Sequence, residues 1–407
     1  MRLCEGKVQA YKSPNALIWY ANVYGIPVIA ALGVLGNLIN AIVLSVNGKR
    51  IPSNAYLLAL SISDCVFLIF GTFEVTPITL DVLSSDPAFN RFYTSVVLYF
   101  RIISSAMFKF SVLLVVAFNV ERYVSICHPL HAGDICGHRL NRWRLCLAWT
   151  FCLLLSIHWP MTYVEDRCFD PSTNATFYMV HLSPDPSTMI YDRTMNYVSM
   201  IGFNMMPILI LVILNCLIIR TLRTVIRKDR RSSIQTNTIT VGGMIVAGRR
   251  QHQQQSRCAN ALLFAVVVMF LICNGPQVPG RLLLEQLGPT SSLVQTYVAI
   301  SQQLIFLNAS LNFCLYCLVS RRYRNLLRKT WTQIQARACG WRAAFDTIGS
   351  KWSAWRESLR LRRSSHSSRR GIVTMEGAAV VSSNSQQRED DEIEIESDDE
   401  DGPNGDL

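Results

Sequence analysis

Seven stretches of this chain are each long and apolar enough to cross a bilayer, and that repetition constrains the fold more than any single motif. They fall at about 24–46, 54–77, 95–120, 145–164, 195–219, 259–284 and 293–319, and a helix needs about 20 mostly apolar residues to traverse the hydrocarbon. Inside lipid every backbone N–H and C=O must find a partner within the protein, which leaves helices or a closed barrel. Runs of this length read as helices, so the expected fold is an all-α membrane protein, a bundle of seven transmembrane helices. Composition agrees, since the 407 residues are 50% hydrophobic and 16% charged with mean hydropathy +0.24, a balance soluble domains seldom show. Residues 1–20 lack the charged stretch, apolar core and small-residue cut site of a signal peptide, so the first run is expected to insert the chain.

Basic residues set the expected orientation. Connections after odd runs hold Lys49, Arg50, Arg139, Arg142, Arg144, Arg223, Arg227, Lys228, Arg230 and Arg231, whereas those after even runs mix Asp81, Asp86, Arg91, Glu165, Asp166, Arg167, Asp170 and Asp192. The positive-inside rule puts the first set in the cytoplasm. The expected order is an extracellular amino terminus at 1–22, the bundle at 23–320, a short amphipathic eighth helix at 321–338 and a largely disordered cytoplasmic tail at 339–407. The eighth helix rests on "SRRYRNLLRKTW", where Tyr323, Leu326 and Leu327 share one face ringed by Arg322, Arg324, Arg328 and Lys329. Net charge is +11, but "EDDEIEIESDDEDG" near the end is acidic, so the basic excess lies in the inner loops and 321–370. That distribution suits anionic inner-leaflet lipid and cytoplasmic partners, not nucleic acid.

Polar residues inside the runs narrow the function. Asp64, in "LALSISDC", is a carboxylate well within the second span, an expensive placement that marks function. Asn37, Ser111, Asn308 and Asn312 are its expected neighbours. Together they either enclose a small cation or form a hydrogen-bonded cluster that holds helices together.

Seven motifs then stand in one order: "LGN" at 35–37, "LALSISD" at 58–64, "ERY" at 121–123, Trp149, Pro207, "FLICNGP" at 270–276 and "NFCLY" at 312–316. In that order and spacing the chain resembles the rhodopsin family (class A) of G-protein-coupled receptors. Within it, "SLNFCLYCLVSRRYR", "ILNCLI" and "CNGP" resemble invertebrate neuropeptide receptors of the FMRFamide, myosuppressin and sex-peptide group.

The resemblance implies roles. Glu121, Arg122 and Tyr123 match the cytoplasmic switch, in which the arginine is held by its neighbouring acid at rest and turns to a heterotrimeric G-protein on activation; Asn312 and Tyr316 belong to the same switch. Phe270, Asn274, Pro276 and Pro207 occupy the transmission positions, although Asn274 replaces the family's tryptophan and Asn215 its fifth-span tyrosine. Asp64, Ser111, Asn308 and Asn312 are the expected holders of an allosteric sodium ion, if the cluster encloses a cation. No other cofactor is implied, and no lysine occurs from Val294 to Ser320, which excludes a retinal Schiff base. Kinases and arrestin are expected at the tail, where Ser364, Ser365, Ser367 and Ser368 stand beside arginines, as Ser232 and Ser233 do in the third inner connection.

The outer mouth is expected to be lined by Glu74, Arg101, Ser104, Ser105, Phe108, Lys109, Gln277, Arg281, Glu285, Gln302 and Gln303. Ser104 stands where amine-binding relatives carry aspartate, which disfavours a monoamine. Mixed charge suits a peptide, with Glu74 or Glu285 receiving a ligand arginine and Arg101 or Arg281 an acid or carbonyl. Lys109 lies deeper, and structural support and ligand contact both stand open for it. Asn174 heads a glycosylation sequon in the second outer loop. The family's bridge from the third span to that loop lacks its span cysteine here, so Cys168 is expected to pair with Cys4. The expected protein is a plasma-membrane neuropeptide receptor with no catalytic centre. A chemosensory receptor for a small molecule is the alternative within the fold, and a seven-helix transporter, which would need a continuous polar route, is the alternative from another class.

Overall fold

The computed structural model describes residues 2–3, 16–47, 54–79, 83, 86–128, 138–171, 174–235, 264–288, 291–320, 323–336, 350–353 and 356. Cys4 and the tail serines from Ser364 lie outside the described residues. Among the described residues, seven helices are long and apolar enough to span a membrane: Ala16–Val46, Asn54–Pro77, Pro87–Cys127, Leu140–Thr162, Pro186–Thr224, Phe264–Leu287 and Ser292–Val319. Several run past the apolar windows. The third covers 41 residues, roughly 60 Å at the α-helical rise, because Asp86 caps its start by accepting from the amides of Ala88 at 2.9 Å and Phe89 at 3.3 Å, with Pro87 behind it. The fifth begins the same way, Asp185 accepting from the Thr188 amide at 3.0 Å ahead of Pro186. The first starts at Ala16, ahead of the expected boundary at 23.

Proline shapes the spans. Pro27 and Pro207 lack an N–H and crowd the carbonyl four residues back, and each is preceded by a single π turn, Ala21–Gly25 and Ile201–Met205. The carbonyls in the first turn are taken by other spans: Gln303 Nε2 donates to Ala21 O at 2.8 Å and Thr76 Oγ1 to Asn22 O at 3.1 Å. Pro276 interrupts the sixth span as a turn at residues 275–276. There a Cβ on Gly275 would lie 2.5 Å from Leu271 O, so this bend requires glycine. Pro160 follows a turn at 155–158 in the fourth span.

Between the fourth and fifth spans a β-hairpin pairs β2 (Tyr163–Asp170) antiparallel to β3 (Ala175–Leu182), and β1 (Arg2–Leu3) adds parallel to β2 with Arg2 opposite Cys168. Asn90 of the third span brackets Tyr178 of β3, accepting from its amide at 2.7 Å and donating to its carbonyl at 3.1 Å. These paired bonds tie hairpin to span where the chain has no span cysteine to do it. At the opposite end of the bundle the main apolar cluster joins Phe118, Leu211, Ile218, Phe270, Tyr316 and Tyr323. Residues 323–336 are helical. Tyr323 is buried with its hydroxyl on Asn40, and Leu326 and Leu327 pack on the cluster. Arg324 donates to the last carbonyls of the seventh span, Cys317 O at 2.8 Å and Leu318 O at 3.0 Å, which satisfies groups a helix terminus leaves open.

Candidate functional site

At the hairpin end the second and third spans bring two opposite charges into contact. Arg101 Nε donates to Glu74 Oε1 at 2.8 Å, and Ser104, three residues along the same helix face, donates to Oε2. Tyr93 donates to the Glu74 carbonyl at 2.6 Å. The Arg101 guanidinium lies 4.9 Å from the Trp159 ring centroid and 5.3 Å from that of Tyr163, within the range of cation–π attraction. Burial holds the Tyr163 phenol above its ordinary value, with the Arg101 charge pulling the other way. The sequence had Glu74 receiving a ligand arginine and Arg101 an acid; the fold closes them on each other instead.

Eight residues deeper, Lys109 is 3% exposed and its ammonium donates to Ser105 Oγ and, at 3.0 Å, to Ser156 Oγ of the fourth span. Among the described residues no carboxylate lies within ion-pair distance of it. Arg281 of the sixth span likewise meets an amide, Asn196 Oδ1 at 3.4 Å, and Asn196 donates in turn to Asp192 Oδ2 at 2.8 Å. Asp192 and His158 are buried, yet Asp192 Oδ1 and His158 Nε2 have no hydrogen-bond partner.

Other expected mouth residues separate. Gln303 turns to the first span, as described. Glu285 is exposed and accepts from the Tyr197 hydroxyl. Gln277 and Gln302 are partly buried. Phe108 packs on Phe67, with ring centroids 5.9 Å apart, and helps floor the deeper cavity. Sequence reasoning passed over Ser156, His158, Asn196 and Tyr197, and counted Asp192 as a loop charge. The signal was present as "SIHWP" at 156–160, polar side chains inside an apolar run.

Near the middle, Asp64 Oδ1 accepts from Ser111 Oγ at 2.7 Å and Oδ2 from Asn312 Nδ2 at 2.6 Å. Asn37 does not join them, donating to Ala309 O at 2.8 Å. Asp64, Ser111 and Asn308 border a cavity of about 10 Å³, room for one water-sized particle. Carboxylate, hydroxyl and amide oxygens are the donors a hard cation takes, and each Asp64 oxygen keeps lone-pair capacity beyond its one hydrogen bond. These residues fit a sodium-sized ion.

At the opposite end Glu121, Arg122 and Tyr123 are all partly buried. Arg122 lies 5.0 Å from the Phe118 ring centroid, and the Tyr123 hydroxyl is 3.5 Å from His128 Nε2. Between the ends, Asn215 donates to Leu211 O at 2.7 Å and Asn119 Oδ1 at 3.4 Å. Asn274 donates to Phe270 O at 3.2 Å, its own Oδ1 being without a partner. Tyr316 is buried against Tyr323 at 5.7 Å between ring centroids. Asn174 stands exposed in the hairpin turn with φ 51°, and Cys168 is buried and disulfide-bonded.

A model of the 7 transmembrane receptor (rhodopsin family) matches residues 36–316. Among curated proteins the chain is 26% identical over 323 residues to a probable G-protein coupled receptor of Caenorhabditis elegans, covering 77% of this chain and 70% of the relative. It is 25% identical over 339 residues to the FMRFamide receptor of Drosophila melanogaster, covering 80% of this chain but 56% of that protein. Against neuromedin-U receptor 2 of Mus musculus it is 25% identical over 324 residues, with 77% and 74% covered.

Proposed function

The chain belongs to the rhodopsin family of seven-transmembrane receptors, and on that premise we propose that it is a plasma-membrane receptor for a neuropeptide of the FMRFamide-like class, acting by agonist-induced activation of a heterotrimeric G-protein. As a member of that family it is a multi-pass membrane receptor and not an enzyme, which sets aside the transporter alternative. The observation that carries the ligand reading is the hairpin end. Charged and amide side chains from the second, third, fifth and sixth spans (Glu74, Arg101, Lys109, Asn196 and Arg281) gather there beside a three-stranded sheet, a lining suited to backbone amides and charged side chains of a peptide and poorly suited to an apolar odorant. The names of the Drosophila and mouse relatives point the same way.

In this reading the hairpin end faces outside and the basic end faces the cytoplasm. Agonist shifts a population between two states, and Arg122 exchanges its present surroundings for the G-protein when the sixth span moves about the Gly275–Pro276 turn. Asp64, Ser111, Asn308 and Asn312 would hold sodium, which supplies positive charge to the Asp64 carboxylate and favours the resting state. Asn174 carries glycan, and kinases and arrestin act at the tail. Cys4 pairs with Cys168; the support is that β1 lies beside Cys168, with Leu3, the residue before Cys4, opposite Phe169.

The direct test is guanine-nucleotide exchange in cells expressing the chain with a promiscuous G-protein, challenged with a library of amidated neuropeptides. Sub-micromolar agonism by at least one peptide is the expected result. Exchange evoked by small odorants and by no peptide would overturn the ligand assignment.

A further inference from the structure

Resting on the peptide-receptor reading, the cluster around Lys109 says what chemical group the ligand brings. Lys109 of the third span donates to Ser156 of the fourth and lies within reach of the charge of Arg281 from the sixth, which itself meets Asn196 of the fifth. Neither has a carboxylate within ion-pair distance among the described residues. Glu74 is closed on Arg101 and Ser104. Asp192 acts on Arg281 from beyond contact and has Oδ2 engaged by Asn196. One carboxylate against two cations leaves the cluster with a net positive charge, and a buried charge without a counter-ion is costly in a span.

The donors left over point the same way. An ammonium has three N–H groups, and Ser105 and Ser156 take two of those of Lys109. His158, 4% exposed, gives its Nδ1–H to Leu155 O at 3.0 Å, so its Nε2 is an acceptor in the neutral ring and adds no donor to this set. Ser105 and Arg281 are partly exposed, so the cluster is not sealed from solvent.

We infer that Lys109 and Arg281 form a subsite for a carboxylate of the ligand, so that the activating peptide is acidic, anchored by an Asp or Glu side chain or a free carboxyl terminus. The one acid in the cluster, Asp192, is outnumbered by the two cations, so an incoming carboxylate is favoured at this depth over an incoming guanidinium, and an acidic side chain is compatible with an amidated carboxyl terminus.

Free carboxylate, inorganic anion and peptide can be told apart. The purified full chain in lipid nanodiscs is melted with N-acetyl-glutamyl amide, with its isosteric N-acetyl-glutaminyl counterpart, and with raised chloride at matched ionic strength. The glutamyl probe should raise Tm by about 2–4 °C, the glutaminyl probe should not, and Lys109→Met and Arg281→Gln should each remove the shift. Should Lys109→Met fail to fold, Arg281→Gln at its partly buried site decides. Equal shifts from both probes, a shift that survives Arg281→Gln, or chloride reproducing it would overturn the carboxylate subsite. For a peptide agonist found by nucleotide exchange, replacing its acid by the isosteric amide should cost at least tenfold in potency on wild type and little on Arg281→Gln. No loss on wild type overturns the inference and leaves the peptide reading standing. A glutamyl shift with no peptide agonist supports the subsite and sinks the peptide reading.

Discussion

Arg101 and Lys109 stand two turns apart on one helix, and their surroundings differ in kind. Arg101 meets a carboxylate, with two aromatic rings near its guanidinium, while Lys109 meets two hydroxyls. At the far end of the same helix Arg122 lies over Phe118, one turn back. In the proposed reading these are a closed structural pair, an open anion site and a movable switch, set apart by what reaches each basic residue, and the residue type alone does not say which.

The sharpest way to break this contrast is at the switch. Arg122→Ala should reduce agonist-driven nucleotide exchange to the level of cells lacking the receptor while surface expression and agonist binding persist, because that guanidinium lies at the end of the bundle opposite the hairpin. Normal exchange in the variant would remove Arg122 from the mechanism. Next in size is the tie above the closed pair. Cys168→Ser should destabilise the fold by about 2–4 kcal/mol, with Cys4→Ser matching it and the double variant no worse than either single. Finding Cys4 alkylated in correctly trafficked receptor by non-reducing peptide mapping would end the proposed pairing.

A buried anion completes the series. Sodium should weaken agonist binding to wild type by a coupling of about 1–3 kcal/mol, and Asp64→Asn should abolish that dependence. A sodium effect that survives the substitution would assign the ion elsewhere. The smallest effects test the contrast itself. Glu74→Gln strips Arg101 of its charge partner and should lower stability by about 1–3 kcal/mol, whereas Ser156→Ala leaves Lys109 its Ser105 bond and should cost about 0.5–1.5 kcal/mol. Thermal melts giving Ser156→Ala the larger loss would mean that Lys109 is closed structurally after all.

What the sequence determined is what local spacing and hydropathy carry. Seven apolar windows require seven helices, since lipid offers the backbone no partner, and Glu121-Arg122-Tyr123, Pro276 and Asp64 are placed by their positions along those windows. The early starts of the third and fifth spans were also written there, as Asp-Pro pairs at 86–87 and 185–186, although the hydropathy windows stop short of such polar turns. Partnership was not written there. Glu74 closes on Arg101, Lys109 on Ser156, and Gln303 on the π turn at Ala21 from 282 residues away. Those meetings depend on how each helix is rotated about its axis, which is set by packing and by the extra residue that Pro27 and Pro207 force into a turn. A linear pattern names the charges inside a membrane bundle, and tertiary structure alone decides which of them neutralise one another and which are left to meet a ligand.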